Sequence, residues 1–159
     1  DHCAAVLAEC KPRIAAMAKI QLLTGMRTGE LISMSADQID RGTLPWVYRP
    51  VKHKNAWRGK DRAIYISEEA AKILMPYLDG PCFKIGPDAY VDSLKRAAER
   101  AKVPPFRPYQ LRHTAATEIR KRYGLEAAQV VLGHASADVS QIYAERDLST
   151  AAAVMREVG

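Results

Sequence analysis

The chain has 159 residues and carries 24 Lys and Arg against 18 Asp and Glu, a formal net charge of +6. That length suits one domain with its own core, and 48% apolar with 26% charged residues argues against disorder. The chain shows no apolar run of the ~18–20 residues that a membrane span needs and no signal-peptide pattern, so membrane and secreted classes are disfavoured. Its three cysteines fit neither a disulfide framework nor a zinc site, which fits a reducing cytoplasm.

The N-terminal segment is predicted to be helical. Apolar residues at helical spacing indicate two helices between Cys3 and Leu23, the second beginning near Pro12, since proline is tolerated in a first turn. Gly25 is expected to cap the second helix. A third helix is predicted from Thr28 to Ile39.

The pattern then changes to short β-rich runs. Trp46–Tyr48 and Ala63–Ile66 predict two strands of a small antiparallel sheet. Ser67 followed by two glutamates resembles a helix N-cap with an acidic first turn, which predicts a helix to about Leu78. Cys82–Ile85 is a candidate third strand.

The C-terminal half is again predicted to be helical. Gly124 and Gly133 are expected to end two of its helices. The predicted helices are Asp88–Ala101, Pro108–Tyr123, Glu126–Leu132 and Ala137–Val158. The fold class is therefore predicted to be α+β, mostly α-helical, with one antiparallel sheet of two to three strands.

The positive charge lies in two blocks. Residues 46–62 hold six Lys or Arg against one Asp, and residues 95–122 hold nine against two Glu, which leaves the remainder of the chain acidic. Localised positive charge predicts an anionic partner, with nucleic acid first. A solvated helix face plus a charged hairpin is the alternative interpretation.

Four short motifs in one order add to this. Residues 24–31 (TGMRTGEL) resemble the first arginine box of the tyrosine recombinases, the phage-integrase family, and residues 110–117 (QLRHTAAT) resemble the second. Leu132-Gly133-His134 and then Tyr143 resemble the two remaining landmarks. The resemblance runs from about Ala4 to the C-terminal helix and implies the catalytic-domain fold of that family.

Two arginines suit the chemistry that this resemblance implies. When a phosphodiester is attacked, charge grows on its two non-bridging oxygens, and planar guanidinium groups offset that charge with paired hydrogen bonds. Arg27 and Arg112 fill this role, with His134 as a further donor. Glu30, three residues after Arg27, shares its helix face and could orient it.

The family resemblance assigns the covalent steps to two further residues. Tyr143 is the expected nucleophile, giving a 3′-phosphotyrosyl link and a free 5′-hydroxyl without metal, cofactor or ATP. The leaving oxygen needs a proton, and the family's usual donor is a hairpin lysine. Lys54 is chosen because His53-Lys54-Asn55 resembles the family's His-Lys-Thr stretch, with Lys52 and Lys60 as the other candidates.

One position departs from the family pattern. The place three residues before the second arginine, usually His, holds Tyr109. A phenol can donate a hydrogen bond to a phosphate oxygen, but it does not readily accept a proton at neutral pH.

Contacts with the DNA backbone are assigned to basic residues of the two blocks: Lys52, Arg58, Lys60, Arg62 and Arg107.

The expected protein is therefore the catalytic domain of a site-specific DNA recombinase, over residues 1–159, without the family's N-terminal DNA-clamping domain. Double-stranded DNA is the expected partner, with a homotetramer formed on DNA through the Ala-rich C-terminal helix, which could equally close its own core. A cytoplasmic, DNA-associated protein of prokaryotic or phage origin is expected. A type IB-like topoisomerase and a non-catalytic DNA-binding module are the alternatives.

Overall fold

The computed structural model describes residues 2–51, 62–133 and 155. Its helices and strands follow in chain order. They are α1 His2–Ala8, α2 Pro12–Thr24, α3 Thr28–Ile32, β1 Ile39–Asp40, β2 Trp46–Tyr48, β3 Ile64–Ile66, α4 Glu68–Leu74, α5 Pro87–Ala101, α6 Pro108–Tyr123 and α7 Leu125–Leu132, with short 3₁₀ turns at Ala36–Gln38 and Met75–Tyr77. The predicted class, mostly α-helical with a small antiparallel sheet, is confirmed.

Most predicted boundaries hold because local signals set them. Pro12 opens α2, and Gly25 adopts the left-handed conformation (φ 71°) that ends it. Ser67 caps α4, accepting a hydrogen bond from the Ala70 N–H. The bounds of α6 agree with the prediction, since Pro108 fixes its start and Gly124 follows its end.

Two predictions are wrong. The third helix stops at Ile32 rather than Ile39, because Ser35 is extended and starts a 3₁₀ turn whose Gln38 side chain accepts the Ser35 N–H at 3.2 Å. Ile39 then pairs with Tyr48 as strand β1. Cys82–Ile85 is not a strand, although the Cys82 N–H donates to the Met34 carbonyl at 2.9 Å.

The sheet has the order β1-β2-β3, antiparallel throughout. Trp46, Tyr48, Ile64 and Ile66 point to its buried face, whereas Tyr65 is exposed. This alternation follows the two-residue period of a strand. Helix α2 crosses the core, and its buried side chains include Met17 and Ile20.

Helices α2, α6 and α7 meet at one end of the domain. Small residues on α6 and α7 let the backbones approach: Ala115, Ala116 and Ala128 are all buried. Gly25 lies so close to α7 that a Cβ there would overlap the Leu132 Cδ2 methyl. The carboxyl ends of α2 and α7 are therefore held side by side.

Among the described residues, no helix has the length and apolarity needed to cross a membrane.

Candidate active site

Arg27 sits in a fixed turn between α2 and α3. It is the N-cap residue of α3, with extended backbone, and its N–H donates to the Glu30 carboxylate at 2.8 Å. A Glu at the third helical position reaching back in this way satisfies a donor that the helix leaves unpaired. The Arg27 side chain is 30% exposed, so it is anchored by its backbone and still reaches the surface.

A buried polar network supports this turn from below. The Gln21 amide donates to the Met26 carbonyl at 3.2 Å and to the Thr28 hydroxyl at 3.3 Å. Its oxygen accepts the Tyr90 hydroxyl at 2.8 Å. Gln21 and Tyr90 are both fully buried. The residues on both sides of Arg27 are thereby tied to the core, which limits the freedom of the arginine.

The carboxyl end of α7 gathers three arginines from distant parts of the chain. Arg62 Nη1 donates to the Val131 carbonyl at 3.2 Å, Arg112 Nη2 to the Leu132 carbonyl at 2.8 Å, and Arg27 Nη2 to the Gly133 carbonyl at 3.4 Å. The last carbonyls of a helix lack partners within the helix and carry its partial negative charge. They are suitable acceptors for guanidinium groups.

Arg112 links two helix ends. Besides its bond to Leu132, its Nη1 donates to the Gly25 carbonyl at the end of α2. Arg112 itself projects from α6, so three helices determine where its guanidinium lies. The two sequence-predicted arginines, Arg27 and Arg112, are thus brought to consecutive carbonyls of one helix end.

Glu30 pairs chiefly with Arg62 rather than with Arg27. Arg62 Nε donates to Glu30 Oε2 at 2.8 Å and Nη2 to Oε1 at 3.4 Å, whereas Arg27 Nη1 lies 3.7 Å from Oε2. Arg62 is only 6% exposed. Its burial departs from the expected contact with a DNA backbone, because the side chain points into the domain and is neutralised there.

The sequence held a signal for this placement. Arg62, Ile64 and Ile66 are two residues apart and all buried, while the intervening positions are not. Side chains at a period of two share a face of a strand. The alternation that predicts β3 also places Arg62 on the buried face, when the two-residue period is continued from Ile64 back to residue 62.

The pKa values of the group follow from burial and charge. Burial lowers the pKa of Arg27; Glu30 raises it and Arg62 lowers it further, with a net lowering. Arginine nevertheless stays charged at any working pH. Burial alone would raise the pKa of Glu30, but the hydrogen bond and charge of Arg62, with the Arg27 N–H, hold it below its usual value. Glu30 is thus an anion at neutral pH.

Two other predicted residues lie at the start of α6. Arg107 is its exposed N-cap, and its N–H donates to Gln110 Oε1 at 2.6 Å. Tyr109 is 55% exposed and packs edge-on against the His113 ring, with centroids 5.3 Å apart. Both occupy the helix that carries Arg112.

The remaining predicted residues lie outside the described residues. They are Lys52, Lys54, Arg58, Lys60, His134 and Tyr143, and the predicted helix Ala137–Val158 falls there too, apart from Met155. His134 is bonded to Gly133, whose carbonyl accepts Arg27. In the described part of the chain, no three His, Cys, Asp or Glu side chains form a group able to hold a metal ion.

The sequence that contains these arginines matches the model of a known protein family. A model described as the phage integrase family matches residues 1–149. The chain belongs to the phage integrase family. The predicted resemblance is therefore confirmed, and the two arginine motifs lie within the matched range.

The relatives and solved structures that resemble this chain are also recombinases or integrases. Tyrosine recombinase XerD of Ralstonia nicotianae is 29% identical over 148 residues, 80% of this chain and 46% of the relative. The catalytic domain of bacteriophage HP1 integrase matches with a TM-score of 0.70 at 26% identity, covering 91% of this chain and 83% of that domain. XerH recombinase bound to its difH substrate has a TM-score of 0.73 at 19% identity, covering 97% and 50%, and shows the shared fold. The chain spans about half the length of the curated relatives it matches.

Proposed function

We propose that this chain is the catalytic domain of a site-specific DNA recombinase that cuts and rejoins strands through a covalent 3′-phosphotyrosine. The observation that carries this proposal is the convergence of Arg27 and Arg112 on adjacent carbonyls of α7. Two guanidinium groups fixed side by side match the two non-bridging oxygens of a phosphodiester. Membership of the phage integrase family supports the same chemistry.

In the proposed reaction the Tyr143 oxygen attacks the scissile phosphorus. A new tyrosyl O–P bond forms as the bond between phosphorus and the 5′-oxygen breaks, and the phenol proton passes to solvent water. Lys54 gives a proton to the leaving 5′-oxygen. Arg27, Arg112 and His134 bind the oxygens on which charge accumulates. Rejoining reverses these steps with a 5′-hydroxyl as nucleophile, so no ATP is needed.

Tyr109 occupies the place where the family pattern usually has histidine. Its ring is exposed beside Arg112 on α6, so we assign it a hydrogen bond to the phosphate rather than proton acceptance. A phenol has an ordinary pKa of ~10 and does not readily take up a proton at pH 7. The nucleophile's deprotonation then depends on the positive potential that the arginines provide.

Double-stranded DNA is the proposed substrate and partner. The XerH structure is described as bound to a difH substrate, which supports a DNA-binding face in this fold. Arg107 stands exposed at the start of α6, and Arg107, Lys52, Arg58 and Lys60 are proposed to contact the DNA backbone. Backbone contacts of this kind position a duplex without reading its sequence.

We further propose a tetramer on DNA joined through the C-terminal helix, and a cytoplasmic, DNA-associated location. The reaction exchanges strands between two duplexes, which requires several nucleophiles in one complex. The tetramer is tested by size analysis of the complex on a full recombination site.

The chemistry is tested with a nicked suicide substrate, in which the cleaved strand loses a short fragment and cannot rejoin. To find a duplex that the chain cleaves, it is first run against a pool of nicked duplexes that share a random core, and adducts are sequenced. A denaturing gel then detects covalent protein–DNA adduct. We expect adduct with the parent chain and none with Tyr143→Phe.

Tyr123→Phe is the matched control, because Tyr123 is 71% exposed at the far end of α6, and we expect it to form adduct at the parent rate. Undiminished adduct in Tyr143→Phe would remove Tyr143 as the nucleophile. DNA binding without adduct from any duplex in the pool would favour a non-catalytic DNA-binding module instead.

A further inference from the structure

Arg62 makes a buried bridge between the two halves of the site. Its guanidinium bonds Glu30 on α3 at 2.8 and 3.4 Å and the Val131 carbonyl on α7 at 3.2 Å. We propose that Arg62 is a positioning residue, which holds the end of α7 and Gly133 in register with the Arg27 turn. This inference rests on the proposed function, because Arg27 and Arg112, which bond to the same helix end, are the phosphate-binding groups of the proposed reaction.

Arg62 is unsuited to bind phosphate directly, because Glu30 neutralises its charge and the side chain is buried. Glu30 has its pKa held below the usual value by Arg62, so the two form a neutral pair at pH 7. Arg62 is also 6% exposed, whereas Arg27 keeps 30% of its side chain at the surface. A DNA strand can therefore reach Arg27 without touching Arg62.

Arg62 also packs on the backbone that leaves α7. Gly133 has φ +64°, and a Cβ on it would lie 2.5 Å from Arg62 Nη1 and 3.0 Å from Cζ. The guanidinium thus occupies the space where any side chain at residue 133 would begin. The place of Arg62 therefore sets the backbone position of Gly133, at the point where the chain leaves the helix.

The same atoms connect Arg62 to Arg27. Glu30 accepts the Arg27 N–H at 2.8 Å through Oε1, the oxygen that also accepts Arg62 Nη2. Arg27 in turn reaches the Gly133 carbonyl at 3.4 Å. These contacts form a closed circuit that joins Arg27, Glu30, Arg62 and the end of α7. Only a planar fork with several donors can serve both a carboxylate and a carbonyl in this geometry.

Arg62→Lys is the informative change, because lysine keeps the charge beside Glu30 and loses the second arm of the fork. We expect the single-turnover cleavage rate at saturating DNA to fall by up to about 100-fold, since a misplacement of about 1 Å can cost that much. We expect the DNA dissociation constant to stay within about twofold. A residue that merely stabilises the fold would not separate these two readouts in folded protein.

Arg13→Lys is the matched control. Arg13 is an exposed arginine whose Nη1 donates to the Phe83 carbonyl at 3.2 Å, so it loses a comparable bond away from the site. We expect its cleavage rate to stay within twofold of the parent. All rates are measured well below each variant's melting temperature, with the folded fraction checked by circular dichroism.

A double variant keeps the inference testable if Arg62→Lys does not fold. Glu30→Met with Arg62→Met replaces the buried pair by apolar side chains, a change that is often neutral or stabilising. It should fold, bind DNA and cleave slowly. Cleavage at the parent rate by either variant, or weaker DNA binding by Arg62→Lys with an unchanged saturated rate, would overturn the positioning role. Absence of adduct from the parent chain would instead overturn the proposed function.

Discussion

Gly25→Ala tests how the ends of α2 and α7 are held together. Gly25 has φ +71°, and a Cβ there would overlap the Leu132 Cδ2 methyl, with Ala115 Cβ 3.5 Å away. A non-glycine residue in the left-handed region costs roughly 1–2 kcal/mol, and overpacking a core costs about 1–3 kcal/mol. The variant should therefore lose about 2–5 kcal/mol of unfolding free energy.

Gly29→Ala is the matched control. Gly29 lies in α3 without a positive φ, and no atom lies within 4 Å of its would-be Cβ. Alanine in a helix is favoured over glycine by up to about 1 kcal/mol, so this variant should be neutral or slightly stabilised. In a chain of this size, each kcal/mol moves the melting temperature by roughly 2–4 °C, so Gly25→Ala should melt some 4–20 °C below the parent.

A double-mutant cycle separates the two costs of Gly25→Ala. Leu132→Ala removes the methyl that Gly25→Ala would meet, so the double variant should be more stable than the sum of the single losses by about 1–3 kcal/mol. Thermal and urea unfolding followed by circular dichroism provide the measurement. If Gly25→Ala melts within 1 °C of the parent, or the two losses simply add, the close approach of α2 and α7 is not as described.

Four further predictions follow from the same residues. Glu30→Gln leaves Arg62 buried without its counter-charge and should cost about 3–5 kcal/mol at pH 7. Because the folded-state pKa of Glu30 lies below its ordinary 4.5, this difference should begin to shrink as the pH falls through 4.5 and should be lost as the pH falls through the lower folded-state pKa; a pH-independent difference in urea unfolding would contradict it. Tyr48→Phe removes a 2.6 Å hydrogen bond to the Glu30 carbonyl and should cost about 1 kcal/mol; since burial raises the pKa of Tyr48 to about 12, that phenol should resist ultraviolet titration between pH 10 and 12, and an ordinary ionisation curve would refute its burial. Tyr109→His should retain or raise adduct formation on the suicide substrate, whereas a large loss would reveal a specific need for the phenol. Binding of the 159-residue chain to duplex DNA should be weak and fall steeply with added salt, so nanomolar affinity at physiological salt in a filter-binding assay would count against it.

Local signals account for the parts of the fold that the sequence predicts well. Pro108 and Gly124 bracket α6, and Gly25 ends α2 just before Arg27. These residues act through their own backbone geometry, so their effect is visible without knowledge of the tertiary structure. Arg27 therefore lies at the start of a predicted helix and Arg112 within another, as they do in the structure.

Tertiary contacts account for the parts that the sequence leaves open. Strand β1 has two residues and forms because Ile39 pairs with Tyr48 on the neighbouring strand. The sequence around Ile39 has helical spacing, so this pairing is not predicted from it. The binding of arginines to the α7 carbonyls likewise depends on backbone acceptors, which are the same in every sequence. Such acceptors become specific only when packing brings a helix end to a particular side chain.

The choice of acceptors explains how a site can hold several arginines and still attract phosphate. A carboxylate fixes an arginine but cancels its charge, as Glu30 does for Arg62. A helix end carries only about half an elementary charge, so the Leu132 and Gly133 carbonyls orient Arg112 and Arg27 while leaving most of their positive charge available. The one full carboxylate in the circuit is directed mainly at the buried arginine. Charge is thereby cancelled where it supports the structure and retained where the proposed phosphate would bind.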